Sequence, residues 1–466
     1  MCTIKNEIPR AYLERMRRWL GDEFEAFLVS YQQEPLAGLR VNSLKISAEE
    51  FQRISPFQLQ PLEWCPDGFI VSGGARPGKH PYHATGLYYL QEPSAMAVVE
   101  LLDPQPGERI LDLAAAPGGK TTHIAARLQQ QGLLIANEIH PRRVSELAQN
   151  LERWGAHNVV ILNETPQRLA DYFGAYFDRV LFDAPCSGEG MFRRSQIARQ
   201  EWSEEVVHSC AIRQKGLLPQ AARLVRPGGR LVYSTCTFSV EENESVIGNF
   251  LKEHPEFELV EWKKSLPFSA AWWNEPENPF IGKGVYRILP HRHLGEGHFI
   301  AVLRRRSGGE WLNINPYRPK TLSRHYLQNF KGFMEGVSDF QFESLRLSLE
   351  GEAVYFIPPS ACQTNGLHVY RPGWLLGTIQ KERFEPAHSL ALGLPAPTIH
   401  KAISLPSDHP HLIAYLHGES LRPDSLPSEH SEGWLVVCVE DYPIGWGKLV
   451  KGVIKNAYPR GLRWLG

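Results

Sequence analysis

From Arg109 to Cys236 the sequence alternates short apolar runs with segments of helical spacing, and no other feature restricts the possible folds as sharply. RILDLA (109–114), LLIANE (133–138), NVVILN (158–163), RVLFDA (179–184) and GRLVYSTC (229–236) read as strands too apolar throughout to leave one face in water. TTHIAARLQQQ follows the first, PRRVSELAQNLERWG the second and EEVVHSCAIRQKGLLPQAARLV the fourth, the last stopped by RPGG at 226–229. Strands alternating with helices in this way make parallel βαβ units, so the fold class is α/β, with the unit spanning about 76–304. Ser239 and Glu242 have S-x-x-E spacing, which predicts a capping box opening a helix that runs to about Leu251.

A chain of 466 residues exceeds one ordinary core, so further domains flank this unit. A turn-rich mixed region precedes it. RRRSGGEWLNINPYRPK follows as a linker to one or two small domains, and the last segment, WLVVCVEDYPIGWGKLVKGVIKNAYP, alternates like a small β module. The N-terminus, MCTIKNEIPRAYLERMRRWLGDEFEAF, has the spacing of an amphipathic helix, not the unbroken apolar core of a signal peptide. No apolar run approaches the ~20 residues that span a bilayer, and hydrophobic content of 42% with 22% charged residues is that of a soluble globular protein. The expected location is the cytoplasm, with no membrane partner.

The seven cysteines (2, 65, 186, 210, 236, 362, 438) are scattered without a CxxC pair, so free thiols in a reducing compartment are expected, and no metal site. The HRH at 291–293 reads as a solvated turn. A net charge of −1 gives the whole molecule no bias toward nucleic acid. Locally, however, Arg304–Lys331 carries seven Lys or Arg against one Glu, and Tyr442–Gly466 five against no acid. Segregated basic stretches in a neutral chain have the form of a localised phosphate-binding surface; solvated faces are the other reading.

LDLAAAPGGKTTH begins at the end of the first strand. A Walker A loop needs G-x-x-x-x-G-K-[ST], and Ala114 stands where its first glycine belongs, which weakens an NTPase reading. The dinucleotide spacing G-x-G-x-x-G is absent as well. What remains is a Gly118-Gly119 turn whose backbone a ligand can approach closely, and Glu138 at the end of the next strand, suited to two ribose hydroxyls. A nucleoside cofactor without a pyrophosphate meets that description, and S-adenosylmethionine is the obvious one. A structural helix-start turn is the alternative.

In a parallel sheet the carboxyl ends of the strands line the ligand crevice. Asp112, Glu138, Asp183, Cys186 and Cys236 all fall at such ends. Cys65, Cys210, Cys362 and Cys438 read as buried and inert, and Cys2 lies near the terminus. Cys186 and Cys236 differ because Asp183, Ser187, Ser234, Thr235 and Thr237 surround them, and Lys120 can supply the positive neighbour that favours a thiolate. The combination has a chemical meaning. C5 of a pyrimidine becomes nucleophilic only after a thiolate adds at C6, and release afterwards requires a base to remove the C5 proton. One nucleophilic cysteine, one helper and a methyl-donor loop form a coherent set.

These motifs resemble those of the RNA cytosine-C5 methyltransferases of the Nol1/Nop2/Sun group, most closely its bacterial ribosomal RNA members. LDLAAAPGGKTTH looks like the group's cofactor motif, FDAPCSGEGMFRR its motif IV and YSTCTFSVEENE its motif VI; HPYHATGLYYLQEPSAM and the terminal YPIGWGKLVKGVIKNAYPRGLRW also look like family blocks, so the resemblance spans nearly the whole chain. It implies a Rossmann-like methyltransferase domain at 76–304, an N-terminal α+β RNA-binding extension at 1–75, a linker and intermediate domain at 305–385, and a PUA-like RNA-binding module at 386–466. Carried over by position, it implies that Cys236 is the nucleophile, that Cys186 assists release, and that Asp183 and Lys120 lie near the reacting base. Ala114, Ala115, Ala116, Pro117, Gly118, Gly119, Lys120, Glu138 and Asp183 would hold S-adenosylmethionine.

One departure concerns the adenosine, where the group often has an Asp: the matching position here is Thr165, with Glu164 and Asn163 as neighbours that can replace it. The substrate class implied is RNA, first 16S ribosomal RNA near the decoding site within the small subunit, with transfer RNA as the alternative and a monomer sufficient. Tyr82, Tyr88 and Tyr89 beside Lys79 and His80 are candidates for stacking and phosphate contacts, with core packing as the competing role, and Arg193 and Arg194 are the better RNA-contact candidates. A non-catalytic RNA-binding factor would need the basic module but not both motif cysteines.

Overall fold

The computed structural model describes residues 7–72, 74–262, 269–270, 284–309, 312–422 and 432–464, so Cys2 and the first six residues of the expected N-terminal helix lie outside the described residues. The five expected strands are β1 (Arg109–Asp112), β2 (Leu133–Asn137), β3 (Val159–Leu162), β4 (Phe177–Asp183) and β5 (Val225–Thr235). All are parallel, in the order β3-β2-β1-β4-β5. The intervening helices are α1 (Gly119–Leu128), α2 (Pro141–Trp154), α3 (Pro166–Phe173) and α4 (Glu204–Leu224). α3 was not foreseen, because PQRLADYF is only eight residues long and buries no more than Leu169, Ala170 and Phe173. Beyond β5 the chain adds α5 (Glu244–Glu253) and an antiparallel pair, β6 (Val285–Ile288) and β7 (His298–Arg305), with β7 against β5.

Every side chain of β2 and β3 is buried, which is what helices on both faces of the sheet require. One face is covered by α3, α4 and α5 through Leu169, Phe173, Leu218, Leu224 and Phe250; the other by α1, α2 and the helix Pro93–Leu102 through Ile124, Leu128, Leu147 and Val99. Each fully buried Leu, Ile or Phe contributes about 1.5–3 kcal/mol relative to exposure. Gly155, with φ +78°, ends α2 in a left-handed C-cap. After β3 the chain crosses to the other side of β1, so the order reverses between β1 and β4, and a ligand crevice opens at their carboxyl ends.

Two local expectations are corrected. The RPGG stop lies inside β5, which starts directly after α4. The capping box does not form: α5 begins at Glu244 behind Asn243, and Ser239 Oγ donates to Glu241 instead of capping a helix. Glu242 is drawn away by a stronger set of donors, described below.

The flanking regions are tied to this core. Leu59–Leu62, Cys65–Val71, Ala37–Val41 and Tyr88–Leu90 form an antiparallel N-terminal sheet, and Ala402–Leu405, Gly433–Val439, Tyr442–Val450 and Val453–Asn456 form the last sheet. The two share one apolar core, with Leu39, Phe51, Phe69 and Tyr88 packed among Leu412, Leu435 and Ile444. An intermediate four-stranded sheet (Leu347–Glu350, Ala353–Phe356, Trp374–Gln380, Arg383–Pro386) lies between, and Val369–Arg371 pairs with β3, extending the central sheet. Among the described residues no helix is long and apolar enough to cross a membrane.

Candidate active site

The loops after β4 and β5 bring Cys186 Sγ and Cys236 Sγ to 3.5 Å, both as free thiols. The approach is enforced by reciprocal bonds between the loops. Ser187 N donates to Glu242 Oε2 at 2.9 Å, Phe238 N donates to Glu189 Oε2 at 2.9 Å, and Gly190 N donates to the Cys236 carbonyl at 2.7 Å. Glu242 also accepts from Ser187 Oγ (2.5 Å), Gln214 Nε2 (3.0 Å) and Thr237 Oγ1 (3.2 Å). Each loop thus lends a buried carboxylate to the other's backbone, and burial raises the pKa of both, Glu189 to about 7. The N-terminal helices Arg10–Leu20 and Phe24–Ser30 close this side, packing Tyr12, Met16 and Phe27 on Phe192, Trp202 and Phe238.

The sulfurs are not equivalent. The bond to Cys236, then burial, raise the Cys186 thiol well above its ordinary value, so Cys186 keeps its proton. Lys120, on the first turn of α1, donates from Nζ to Asp183 Oδ2 at 2.7 Å, and Ser234 Oγ donates to Asp183 Oδ1 at 2.6 Å. Burial alone would raise Asp183, but the Lys120 ammonium outweighs it and holds the carboxyl below its ordinary value. Burial opposes the charge on Lys120 too, yet Asp183 first and Cys236 further off raise its pKa, so the ammonium persists beside the Cys236 sulfur. The structure therefore gathers Cys186, Cys236, Asp183 and Lys120 into one pocket.

Sequence reasoning missed the opposite wall. The register that pairs Phe299 with Thr235 carries His298 to the level of Cys236. His298 Nδ1 lies 3.0 Å from Ser94 Oγ, whose proton goes to Glu92, so the imidazole is the donor to Ser94. Burial, then Lys120, lower its pKa to about 3, leaving a neutral ring beside the ion pair. Nothing in GEGHFI signals this, because Ser94 comes from another domain edge.

At the candidate cofactor loop, Asp112 Oδ2 accepts from Thr121 Oγ1 at 2.8 Å while Oδ1 is buried with no hydrogen-bond partner among the described residues, and burial raises this carboxyl to about 7. Gly118 has φ +113° and caps the start of α1. The loop's carbonyls are gripped from α2, by Arg143 Nη2 on Ala116 O and Asn150 Nδ2 on Pro117 O, each at 2.6 Å. Ala115 N donates to Asn137 O at 2.8 Å. Arg40 of the N-terminal sheet, fully buried over the Trp154 ring, donates to Gly119 O (3.0 Å), Thr122 Oγ1 (2.7 Å) and Gln91 Oε1 (2.9 Å). Glu138 is buried at the end of β2, accepting from His140 N at 2.9 Å.

The segment 99–304 matches the model of the 16S rRNA methyltransferase RsmB/F family, and flanking segments match the RsmF N-terminal domain (8–93), the RsmF first C-terminal domain (332–394) and the RsmF PUA domain (402–464). The ribosomal RNA small subunit methyltransferase F of Erwinia tasmaniensis is 33% identical over 97% of this chain and 96% of its own length. The chain belongs to the RsmF family. The corresponding enzyme of Citrobacter koseri is 32% identical over 97% of this chain and 96% of its own. A solved methyltransferase homolog from Pyrococcus horikoshii, 30% identical, covers 66% of this chain and 99% of its own with a TM-score of 0.57. The RsmF-family chain is thus a Rossmann-like, S-adenosylmethionine-dependent methyltransferase acting on ribosomal RNA, with a PUA domain.

The residues present fit that cofactor: an unpaired buried carboxylate oxygen at Asp112, a left-handed glycine where a Cβ would stand 3.3 Å from Leu147, and the Glu138 carboxylate at the neighbouring strand end. Gly118→Ala is expected to cost about 1–2 kcal/mol of backbone strain, seen by calorimetry as roughly a five- to thirtyfold loss of S-adenosylmethionine affinity. An affinity within twofold of the parent would show that the loop does not need this conformation. On the adenosine side, Thr165 is exposed and caps α3 through Arg168 N, and Asn163 Nδ2 is spent on the carbonyls of Glu138 and Ile139. Glu164 pairs with Arg168 and accepts from His368 N, so it anchors the intermediate C-terminal domain.

Several expected RNA contacts turn out to be structural. Arg193 is buried, pairs with Glu296 at 2.6 Å and donates to the carbonyls of Ser30 and Gly295, while Arg194 bonds Glu296 and Leu36 O. The acid that neutralises them stands a hundred residues on in a hairpin tip, invisible to local spacing. Tyr82 and Tyr88 are core residues of the sheet pair, and Tyr89, pointing the other way from the same strand, packs beside Gly119. In the first basic stretch Arg304 and Arg306 pair with Glu258 and Lys320 with Glu350. His291 and Arg292, read as a solvated turn, bond Glu23. Away from the cleft, the buried Cys65 sulfur lies within 4.8 Å of Glu100 and His123 ligand atoms, with Glu100 already held by Arg127 at 2.5 Å.

Proposed function

We propose that this enzyme methylates cytosine C5 in RNA of the small ribosomal subunit in the cytoplasm, through a covalent bond between Cys236 Sγ and C6. The observation that carries this reading is the pair of thiols 3.5 Å apart beside the Lys120–Asp183 ion pair, at the mouth of the cofactor loop. S-adenosylmethionine, held by Ala114–Lys120 with Glu138 and Asp112, supplies an electrophilic methyl group. Cys236 would add its electron pair to C6 of the pyrimidine, and the ring electrons displaced toward C5 would form the new C5–methyl bond as the donor's sulfur–methyl bond breaks, its electron pair staying on the departing sulfur. Lys120 stabilises the thiolate before attack. The ionised carboxylate of Asp183 can only accept, which suits the exocyclic amino group of cytosine and disfavours the carbonyl that uracil presents there.

Release requires that a proton leave C5 and that the C6–S bond break, its electron pair returning to Cys236. Cys186 holds its proton while Cys236 is a thiolate. Once that neighbour is bonded to carbon, the largest of the interactions that raised Cys186 is gone, although burial remains, and it can lose its proton to solvent, accept the C5 proton and so regain its starting state. The turnover then releases one proton overall.

The target base must leave its stack to reach this half-buried pair. Labelled S-adenosylmethionine incubated with separate small-subunit, large-subunit and transfer RNA pools, followed by nucleoside analysis, is expected to place label in 5-methylcytidine from small-subunit RNA. Label in a methylated uridine, or at another cytosine atom, would overturn the C5 assignment; label only in transfer RNA would overturn the substrate.

A further inference from the structure

A cavity of about 460 Å³ opens where the N-terminal sheet, the methyltransferase domain and the last module meet, behind Pro117 of the cofactor loop. Its walls include His83, Arg153 of α2, His388, Tyr458 and Arg463. The charges around it are not balanced. Arg463 makes no side-chain hydrogen bond or ion pair among the described residues, and its Nε is buried without a partner. Among the described residues Arg153 has one side-chain bond, from Nη2 to Asn150 Oδ1 at 2.5 Å, and pairs with no carboxylate. Behind it Lys45 Nζ donates to the carbonyls of Thr85 (2.6 Å) and Arg153 (3.0 Å), again with no carboxylate among the described residues, and burial lowers its pKa to about 7. Burial lowers His83 and His388 to about 3, so neither imidazole adds charge, and the one acid of the lining, Glu146, is exposed and makes no ion pair among the described residues.

Half-buried cations without counter-charge are costly unless an anion completes them. The cavity is also lined by two aromatic residues, Tyr458, which is buried, and Trp464, which is partly exposed. A phosphate flanked by a planar base is the chemistry that matches, as in single-stranded RNA recognised by stacking and arginine contacts. We propose that this cavity holds a backbone phosphate and the adjoining nucleotide of the substrate RNA, away from the reacting base. The inference rests on the RNA-methylating activity, and it gives the last module a contact made jointly with α2.

The test uses the full-length protein with Arg153→Ala/Arg463→Ala, checked for an unchanged melting temperature, and small-subunit RNA titrated at several salt concentrations. Each lost phosphate contact lowers the slope of log affinity against log salt by about 1, so a slope reduced by about 1 to 2 and affinity about tenfold weaker are expected. KM for RNA should rise with kcat and S-adenosylhomocysteine affinity within twofold of the parent. Arg463→Lys, which keeps the charge, should recover most of the salt slope. Unchanged affinity and slope in the folded double variant would overturn the proposal. So would tight binding of free cytidine monophosphate that the double variant loses while RNA affinity stays, which would assign the cavity to a free nucleotide. Because RNA affinity is read without turnover, a parent enzyme that methylates no cytosine would fail the proposed reaction and leave this comparison intact.

Discussion

Cys186→Ala is expected to convert the enzyme into a trap, with protein and RNA joined in a complex that survives a denaturing gel when S-adenosylmethionine is present. In the native site Cys186 sits 3.5 Å from the sulfur that must leave, held there by Ser187 N on Glu242 and Gly190 N on the Cys236 carbonyl. Removing its thiol is expected to leave attack and methyl transfer intact, since Lys120 and Asp183 are untouched, but it removes the group proposed to take the C5 proton. Turnover should fall by about 10²–10⁴, the range for loss of a positioned general base, while single-turnover labelling of the RNA stays near the parent level. Free protein only, with turnover unchanged, would reject Cys186 as the release group.

Cys236→Ala should abolish both turnover and adduct. Without the sulfur the proposed addition at C6 is lost, and C5 does not become nucleophilic; losses of at least about 10³-fold are usual when a covalent nucleophile is removed. The cavity created is small, Cys236 lies at a strand end, and the loop stays clamped through the Cys236 carbonyl rather than its side chain. Melting temperature and S-adenosylhomocysteine affinity are therefore expected to match the parent. Residual methylation above a few per cent would mean that Cys186 or another group attacks. The double variant Cys186→Ala/Cys236→Ala should behave like Cys236→Ala alone, because release has no meaning without an adduct.

The central sheet was legible because its signal is local. Strands such as LLIAN and VVIL are apolar at every position, and only a sheet covered on both faces buries such runs. Cys186, Cys236, Asp183 and Lys120 were legible for a related reason: strand ends in a parallel sheet converge on one crevice whatever the rest of the chain does. The gripping residues were not. Arg40, Glu242, Glu296 and His298 act on partners dozens of residues away or more, and polar spacing in the sequence is equally compatible with caps, solvated turns or RNA contacts. Glu242 shows the competition directly, since its S-x-x-E spacing with Ser239 yields to four donors from Ser187, Gln214 and Thr237.

By itself, then, the sequence determined the α/β class, the cofactor loop and the pair of thiols, through hydrophobic period and through residue types placed at strand ends. Tertiary structure alone decided which arginines are structural and which remain unpaired, how the two cysteine loops lock together, and that the last module shares a core with the N-terminal sheet. The physical reason is range. Burial patterns are written along a few consecutive residues, whereas an ion pair or a buried hydrogen bond depends on which distant group the fold brings within 3 Å, and no local spacing records that.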